Sequence, residues 1–480
     1  MKWEIVMGLE VHAELSTKSK IFCGCKAAFG GEPNTYVCPV CCGMPGTLPM
    51  LNRAVIEYAI RTGLMLNCEI ARTCKFDRKN YFYPDLPKAY QVSQLYAPIC
   101  SGGFVEIEVN GQKKRIRIRE IHMEEDAGKL IHDSPGGKTR IDFNRAGVGL
   151  LEIVSEPDFR SKDEVLAYLA RLSETLLYLG VSDCKMQEGS LRADVNISVR
   201  PFGEALGVRT EMKNINSLKA IGRAIEYESA RQIEILENGG QITQETRRWD
   251  DEEGKSCGMR KKENAWDYRY FPEPDLLPIF IDDKWLERAR LTLPEPAHRK
   301  RERYICEYGL SEHEAFVLTG HKNISDLFEN VLEHGGEPLE SAHLIMGEIM
   351  RLMNDSGTLP EDLSVDGRKL AILVDLVLRS KISRGAYKEA VLAVYANDAE
   401  PETYVAQQGL LMMSDGHIIS EAVDMVLADY SDAVMDYRAG KIKVFGFLMG
   451  QVMKKLGRAG NPDLAQSALK KALDAEVGEG

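Results

Sequence analysis

Four cysteines near the amino terminus constrain the fold of this chain more than any other feature. Cys23, Cys25, Cys38 and Cys41 have the spacing C-x-C-x12-C-x2-C. Glycine and proline inside the two short intervals favour tight turns that bring pairs of thiols together. The pattern predicts two facing zinc knuckles around a structural Zn2+ ion. The alternative is a group of buried reduced thiols, because free cysteine packs well as a small apolar side chain.

The composition limits the class of protein. The chain has 480 residues, 11 cysteines and a net charge of -12. This length exceeds what one hydrophobic core usually serves, which predicts several domains. The sequence has neither an apolar run of about 18 residues nor a secretory signal. We therefore expect a cytoplasmic protein with reduced cysteines and no membrane segment.

The strand before the cysteines carries polar side chains on one face. Glu10 and His12 are two residues apart in an apolar segment, so both project from the same face. Asn110 and Gly111 separate two alternating segments, which predicts a hairpin. The second arm of this hairpin ends in Glu124 and Glu125, which alternate between the two faces, and either one could lie at the edge of the expected polar face.

Two further segments show the same alternation. Residues 193–199 carry Asp194 and Asn196 on one face, and residues 210–214 bring Glu211 and Lys213 together. We expect these four side chains to join Glu10 and His12 on one polar sheet face, with helices packed on the apolar face. A solvated sheet surface is the alternative for each of them.

The chemistry of that face favours a hard cation. Carboxylates on neighbouring strands repel one another, and oxygen ligands with one imidazole suit Mg2+ or Mn2+ better than Zn2+. A Mg2+ site near lysine and arginine is typical of phosphoryl transfer. The segment that ends in Lys138 and Thr139 is not a P-loop, because the first glycine of that motif would fall on His132.

The carboxyl-terminal half has a different character. From about residue 297, helix-forming sequence dominates. Between residues 438 and 471 there are eight basic side chains and one acidic one. Such a patch on an acidic protein is typical of a nucleic-acid contact, although basic helix ends also complement the helix dipole. These patterns predict an α+β chain with a mixed or antiparallel sheet followed by helices.

Several longer motifs occur in order along the chain. They are Gly8-Leu-Glu10-Val-His12-Ala-Glu-Leu, Cys38-Pro-Val-Cys41, Gly189-Ser-Leu-Arg-Ala-Asp194-Val-Asn196, Glu211-Met-Lys-Asn-Ile-Asn216 and Asp267-Tyr-Arg-Tyr-Phe-Pro-Glu-Pro-Asp275. Together they resemble the GatB family, whose members belong to the tRNA-dependent amidotransferases of the GatCAB type. The resemblance implies a cradle-shaped catalytic domain over residues 1–290, a helical domain over 291–402 and a YqeY-like tRNA-binding tail over 403–480.

The resemblance also implies a reaction. The side-chain carboxylate of glutamate or aspartate misacylated on tRNA would attack the γ-phosphate of ATP, and ammonia would then displace phosphate. Ammonia would come from the partner amidase, GatA, in a complex that also contains the small protein GatC. The sequence does not distinguish glutamyl-tRNA(Gln) from aspartyl-tRNA(Asn) as the substrate.

The expected site residues follow from the strand faces and from the resemblance. Those expected to act in catalysis are Glu10, His12, Glu124, Glu125 and Lys213. Those expected to bind the nucleotide are Asp194, Asn196, Glu211 and Lys79. By resemblance, the Mg2+ ligands would be Glu10, His12 and Glu125. Two other classes stay open, a zinc-stabilised tRNA-binding scaffold without catalysis and a self-contained metal-dependent hydrolase.

Overall fold

A computed structural model describes residues 2–132, 137–261, 265–412, 416–457 and 460–474. The chain forms two compact units, Met1–Pro296 and Ala297–Gly480. The domain limits expected from the sequence stay predictions. No described helix combines the length and the apolar content that a membrane crossing requires.

A large mixed sheet is the centre of the first unit. The strands of this unit are β1 (Trp3–Glu14), β2 (Glu69–Ile70), β3 (Thr73–Cys74), β4 (Asp77–Asn80), β5 (Tyr90–Ser93), β6 (Cys100–Ser101), β7 (Phe104–Val109), β8 (Gln112–Glu125), β9 (Lys129–Ile131), β10 (Arg140–Asp142), β11 (Gly149–Ser155), β12 (Leu191–Pro201), β13 (Thr210–Lys213), β14 (Glu245–Asp250), β15 (Lys255–Lys261), β16 (Phe271–Pro272) and β17 (Ile279–Phe280). The strand order in the main sheet is β15-β14-β13-β12-β1-β11-β8-β6-β2, with β7 beside β8. Strands β13 and β14 run parallel, and the other described pairs of this sheet run antiparallel.

Burial explains why β1 lies in the middle of the sheet. Residues 6–9 of this strand are buried on both faces, and buried Val11 and Ala13 then alternate with partly exposed Glu10, His12 and Glu14. The apolar face packs against α1 (Arg53–Met65), α2 (Lys162–Leu179) and α3 (Leu218–Glu237), and α4 (Asp283–Leu291) packs on α1. The polar face is left for the carboxylates, as the alternation predicted.

The hairpin predicted from Asn-Gly is present between β7 and β8. Both Asn110 and Gly111 have positive φ, 52° and 73°, which a two-residue turn between twisted strands requires. The turn sets the register in which Val109 faces Gln112. Glu124 lies at the other end of β8, opposite Leu150 of β11.

The second unit is helical. Its helices are α5 (Ala297–Tyr308), α6 (Glu312–Leu318), α7 (Lys322–Glu333), α8 (Pro338–Leu344), α9 (Met350–Ser356), α10 (Gly367–Leu378), α11 (Arg384–Asn397), α12 (Pro401–Gln407), α13 (Gly416–Asp429), α14 (Ser431–Arg438), α15 (Val444–Leu456) and α16 (Pro462–Asp474). A π-helical turn, Ile345–Ile349, joins α8 to α9. One hydrophobic cluster spans residues 304–410 and another spans residues 419–473.

A buried carboxylate fixes α3 to the back of the sheet. Glu228 is fully buried and accepts hydrogen bonds from Thr210 of β13 at 2.8 Å and from Arg231 at 2.7 Å. The guanidinium of Arg247 on β14 lies 3.4 Å from the same carboxylate. Burial alone would raise the pKa of Glu228, but hydrogen bonds from Arg231 and Gln232 lower it below the usual value.

Replacement of this carboxylate tests the packing of α3. Glu228→Gln removes the negative charge between two arginines, and we expect it to lower the free energy of unfolding by about 3 kcal/mol at neutral pH. Because folding lowers the pKa of Glu228, its stabilisation is present above the ordinary glutamate pKa and is lost as the pH falls through the lowered value. The thermal unfolding midpoints of Glu228→Gln and of the unmodified chain should therefore become more similar at acidic pH.

The matched control for this substitution is Glu226→Gln, which changes an exposed carboxylate on the same helix. This control should change the midpoint little, because an exposed ion pair contributes little to stability. A difference between Glu228→Gln and the unmodified chain that stays constant as the pH falls from neutral to about 2 would contradict the assignment.

Candidate functional site

The strand register brings residues from distant parts of the sequence to one place. Glu10 of β1 lies opposite Asp194 of β12, and His12 lies opposite Glu152 of β11. Glu211 of β13 lies opposite the next polar residue of β12. These side chains form two acidic groups along β1.

The first group, which we call the His12 group, consists of His12, Glu124 and Glu152. One ligand atom from each lies within 4.8 Å of the others. Burial lowers the pKa of His12, although the charges of Glu124 and Asp194 act in the opposite direction. Burial and repulsion by Glu124 raise the pKa of Glu152 well above its usual value. A neutral imidazole beside two crowded carboxyls is a donor set that could hold a divalent cation.

The second group, the Glu10 group, consists of Glu10, Asp194 and Glu211, whose oxygens also lie within 4.8 Å of one another. Lys213 donates a hydrogen bond to Asp194, and its ammonium is 3.4 Å from Glu211. Burial would lower the pKa of Lys213, but the charges of Asp194 and Glu211 raise it on balance. Asn196 donates to Glu10 at 2.9 Å. One lysine thus offsets part of the charge of three carboxylates.

A second lysine faces the His12 group. The ammonium of Lys79 on β4 lies 5.1 Å from the ring centre of Tyr268 and 5.7 Å from that of Tyr81. Burial would lower the pKa of Lys79, but Tyr270, Glu124 and other nearby acidic groups raise it on balance. The cation is therefore held at the edge of the acidic groups.

Glu125 does not lie with the residues that were expected to bind Mg2+. Neighbouring residues of a strand project to opposite faces, so Glu124 joins the His12 group and Glu125 points away from it. Glu125 accepts hydrogen bonds from Lys88 and from the backbone N–H of Val92, the latter at 2.9 Å. The expected set of Glu10, His12 and Glu125 is therefore not brought together.

Glu152 was not among the expected site residues. It lies within Gly149–Ser155, an otherwise apolar strand, and a single carboxylate there is usual at the rim of a core. The alternation of Glu152 with buried Leu151 and Ile153 was the signal that could have found it. The remaining expected residues, Lys79, Asp194, Asn196, Glu211 and Lys213, all lie at or beside the two acidic groups.

A pocket opens beside the Glu10 group. It is lined by Gly8, Glu10, Arg119, Asn196, Ser198 and Arg209 together with apolar neighbours. The amide oxygen of Asn196 is buried and has no hydrogen-bond partner within the described residues. This pocket offers cationic and hydrogen-bonding side chains next to carboxylates.

The four cysteines of the knuckle motif lie together. One sulfur from each of Cys23, Cys25, Cys38 and Cys41 is within 4.8 Å of the others, whereas Cys42 is outside this group. The Sγ atoms of Cys38 and Cys41 are 3.9 Å apart. A tetrahedral site with Zn–S bonds of about 2.3 Å separates its sulfurs by about 3.8 Å, so the cluster could hold a metal such as zinc. The hydrogen bond with Cys23 outweighs burial and lowers the pKa of Cys41 to about 4.

Comparisons with known proteins agree with these features. Residues 5–287 match the family model described as the GatB/GatE catalytic domain, and residues 326–473 match the one described as the GatB domain. The chain is 54% identical over 478 residues to the B subunit of the aspartyl/glutamyl-tRNA(Asn/Gln) amidotransferase of Caldicellulosiruptor bescii. That match covers 99% of this chain and 100% of that protein. It is 53% identical over 472 residues to the protein of the same name from Lachnoclostridium phytofermentans. That match covers 98% of this chain and 99% of that protein.

The sheet and the first match define a catalytic domain of the GatB/GatE class. With the second match and relatives that are similar over nearly their full length, the chain belongs to the GatB family. The resemblance seen in the sequence motifs and the expected α+β fold class are both confirmed.

Proposed function

We propose that this chain is the component of a tRNA-dependent amidotransferase that activates the side-chain carboxylate of glutamate or aspartate misacylated on tRNA. The proposal is carried by the two acidic groups that lie along β1. Lys79 lies beside the His12 group and Lys213 beside the Glu10 group. The relatives support the substrate class, because their names give an aspartyl/glutamyl-tRNA(Asn/Gln) amidotransferase. We place the reaction in the cytoplasm, with the amidase GatA and the small protein GatC as partners.

The two acidic groups would hold Mg2+ ions. Glu10 and His12 are two residues apart on β1, so their Cα atoms are about 7 Å apart, and the other members of the two groups lie on opposite sides of that strand. Crowded carboxylates with oxygen and imidazole donors fit Mg2+ or Mn2+. When bound, Mg2+ neutralises the charge of a transferring phosphoryl group. Lys213 supplies a further positive charge at the Glu10 group.

ATP would bind with its phosphates over the Glu10 group and its nucleoside in the adjoining pocket. Gly8 lines this pocket without a side chain. Asn196 and Ser198 line it too and can form hydrogen bonds with a ribose. Arg119 and Arg209 line the same pocket and can neutralise phosphate charge. The absence of a P-loop sequence is consistent with this different mode of binding.

The substrate carboxylate would be bound between the nucleotide and Lys79. The half-buried ammonium of Lys79, at the edge of the His12 group, can orient a carboxylate toward the γ-phosphorus. A carboxylate oxygen attacks phosphorus and ADP leaves. Ammonia then attacks the acyl carbon, and phosphate leaves with the former carboxylate oxygen. Glu125 stays a proposed catalytic residue, but its pairing with Lys88 favours a role away from the metal ions.

Substitution of one carboxylate in each group tests this assignment. In the complete complex, we expect Glu10→Gln and Glu152→Gln each to lower ADP release in the presence of misacylated tRNA by at least about 100-fold, because charge neutralisation at phosphorus accounts for several kcal/mol. Glu106→Gln, on an exposed part of β7, is the control and should keep full activity. ATP turnover that is unchanged in Glu152→Gln, or that does not need misacylated tRNA, would contradict the proposal.

A non-catalytic zinc-stabilised tRNA-binding scaffold is the alternative that the thiol cluster and the basic tail favour. Lys454, Lys470 and Lys471 of the tail are exposed and suit contact with phosphates, whereas Arg458, part of the same basic segment, lies outside the described residues. The scaffold gives the two acidic groups no role, so tRNA-dependent ATP turnover distinguishes the two functions.

We also propose that the four-cysteine cluster holds a structural Zn2+ ion. Elemental analysis of the full-length chain should find about one zinc per chain, because four thiolates complete a tetrahedral site. Cys38→Ser should lose this zinc, since three thiolates bind it less tightly. Cys42→Ser is the matched control and should retain it. A chain that folds and turns over ATP with no zinc, or zinc that survives in Cys38→Ser, would refute the assignment.

A further inference from the structure

A lysine is buried beside the thiol cluster. The side chain of Lys20 is 0% exposed. Its Nζ lies 3.6 Å from Sγ of Cys41 and 3.3 Å from the backbone oxygen of Phe143, and it donates to both. Within the described part of the chain, Lys20 forms no salt bridge with a carboxylate. The acceptors in direct contact with its ammonium are therefore a sulfur atom and a backbone oxygen.

The burial of an ammonium group is costly unless a negative charge lies next to it. Among the described residues, the only acceptor of Lys20 that can carry a full negative charge is the thiolate of Cys41. Four thiolates around one divalent ion have a net charge of about -2, and one adjacent lysine offsets half of it. The buried lysine and an anionic metal–thiolate cluster are thus mutually compensating charges.

Close packing holds Lys20 against the cluster. Gly147 has φ +85°, and a Cβ atom at this residue would lie 3.4 Å from Cβ of Cys41 and 3.7 Å from Cδ of Lys20. The backbone N–H of Ile21 donates to the Gly147 carbonyl at 2.9 Å. The lysine therefore joins the thiol cluster to the segment that leads into β11, the strand that carries Glu152.

We propose that Lys20 is a positioning residue for the metal of the thiol cluster: its ammonium donates to the Cys41 thiolate and offsets the excess negative charge of a four-thiolate zinc site. This inference rests on the zinc assignment made above. It adds a residue outside the four ligands that controls how tightly the metal is held.

The affinity for zinc tests the role of the charge. The full-length chain is stripped of metal under reducing conditions, and zinc is titrated in competition with a chromophoric chelator. We expect Lys20→Met to weaken zinc binding by about 10–100-fold, as is usual when a group that hydrogen-bonds a metal ligand is removed. The matched control is Lys26→Met, which removes an exposed lysine of the same loop whose ammonium lies over the Tyr36 ring at 5.4 Å. This variant should keep the affinity of the unmodified chain.

Cobalt substitution tests the contact between Lys20 and the sulfur. Co2+ bound to thiolates absorbs through charge transfer from sulfur to metal. A cation that hydrogen-bonds the sulfur lowers the energy of the filled sulfur orbitals, so the band lies at higher energy. Lys20→Met should therefore shift the band to lower energy, whereas Lys26→Met should leave it in place. A residue that only supports the fold would not move this band.

The two measurements together decide the proposal. Weaker zinc binding and a shifted cobalt band in Lys20→Met support it. Zinc affinity equal to that of the unmodified chain, or a cobalt band that does not move, overturns it. If Lys20→Met does not fold, Lys20→Gln, which keeps an N–H donor without the charge, is measured with the same criteria. Failure of the unmodified chain to bind zinc or cobalt refutes the zinc site itself. Zinc binding that is equally tight in the unmodified chain and in Lys20→Met refutes only this inference.

Discussion

Electrostatic repulsion between carboxylates is the constraint on which the first unit depends. Five of them, Glu10, Glu124, Glu152, Asp194 and Glu211, converge on one face of the sheet with the imidazole of His12. Such a face is stable only if positive charge is close by. Lys79 and Lys213 supply part of that charge, and the metal ions that we propose would supply the rest. The apolar back of the sheet keeps the strands in a register that holds these side chains together.

The two kinds of proposed metal site differ in the chemistry of their ligands. The soft sulfur ligands lie in the loop after β1, where Lys20 contacts Cys41, and the hard oxygen donors lie on the strands. Zinc at the thiols would fix the loop without taking part in phosphoryl transfer. Magnesium at the oxygen ligands would bind and leave together with the nucleotide. Because the segment near Gly147 contacts the thiol loop and leads into β11, the loop also steadies the strand that carries Glu152.

Local patterns in the sequence predicted much of this arrangement. Alternation along β1 predicted that Glu10 and His12 share a face, and Asn-Gly predicted the hairpin that ends in Glu124. Cysteine spacing predicted the thiol cluster. Glu152 was missed because its alternation with Leu151 and Ile153 extends over only three residues of a mostly apolar strand. The division of Glu10 and His12 between two groups depends on the register of β11 and β12, which long-range packing determines. The parallel pairing of β13 with β14 has the same origin.

The proposed reaction requires that the side-chain carboxylate of the aminoacyl-tRNA is phosphorylated before it is amidated. The most direct test is to label that carboxylate with oxygen-18 and to measure the mass of the inorganic phosphate released by the complete complex in unlabelled water. We expect each phosphate to carry one oxygen-18 atom, since the carboxylate oxygen that attacks phosphorus leaves with it. Phosphate without the label, formed at the same rate as the amide, would contradict the account.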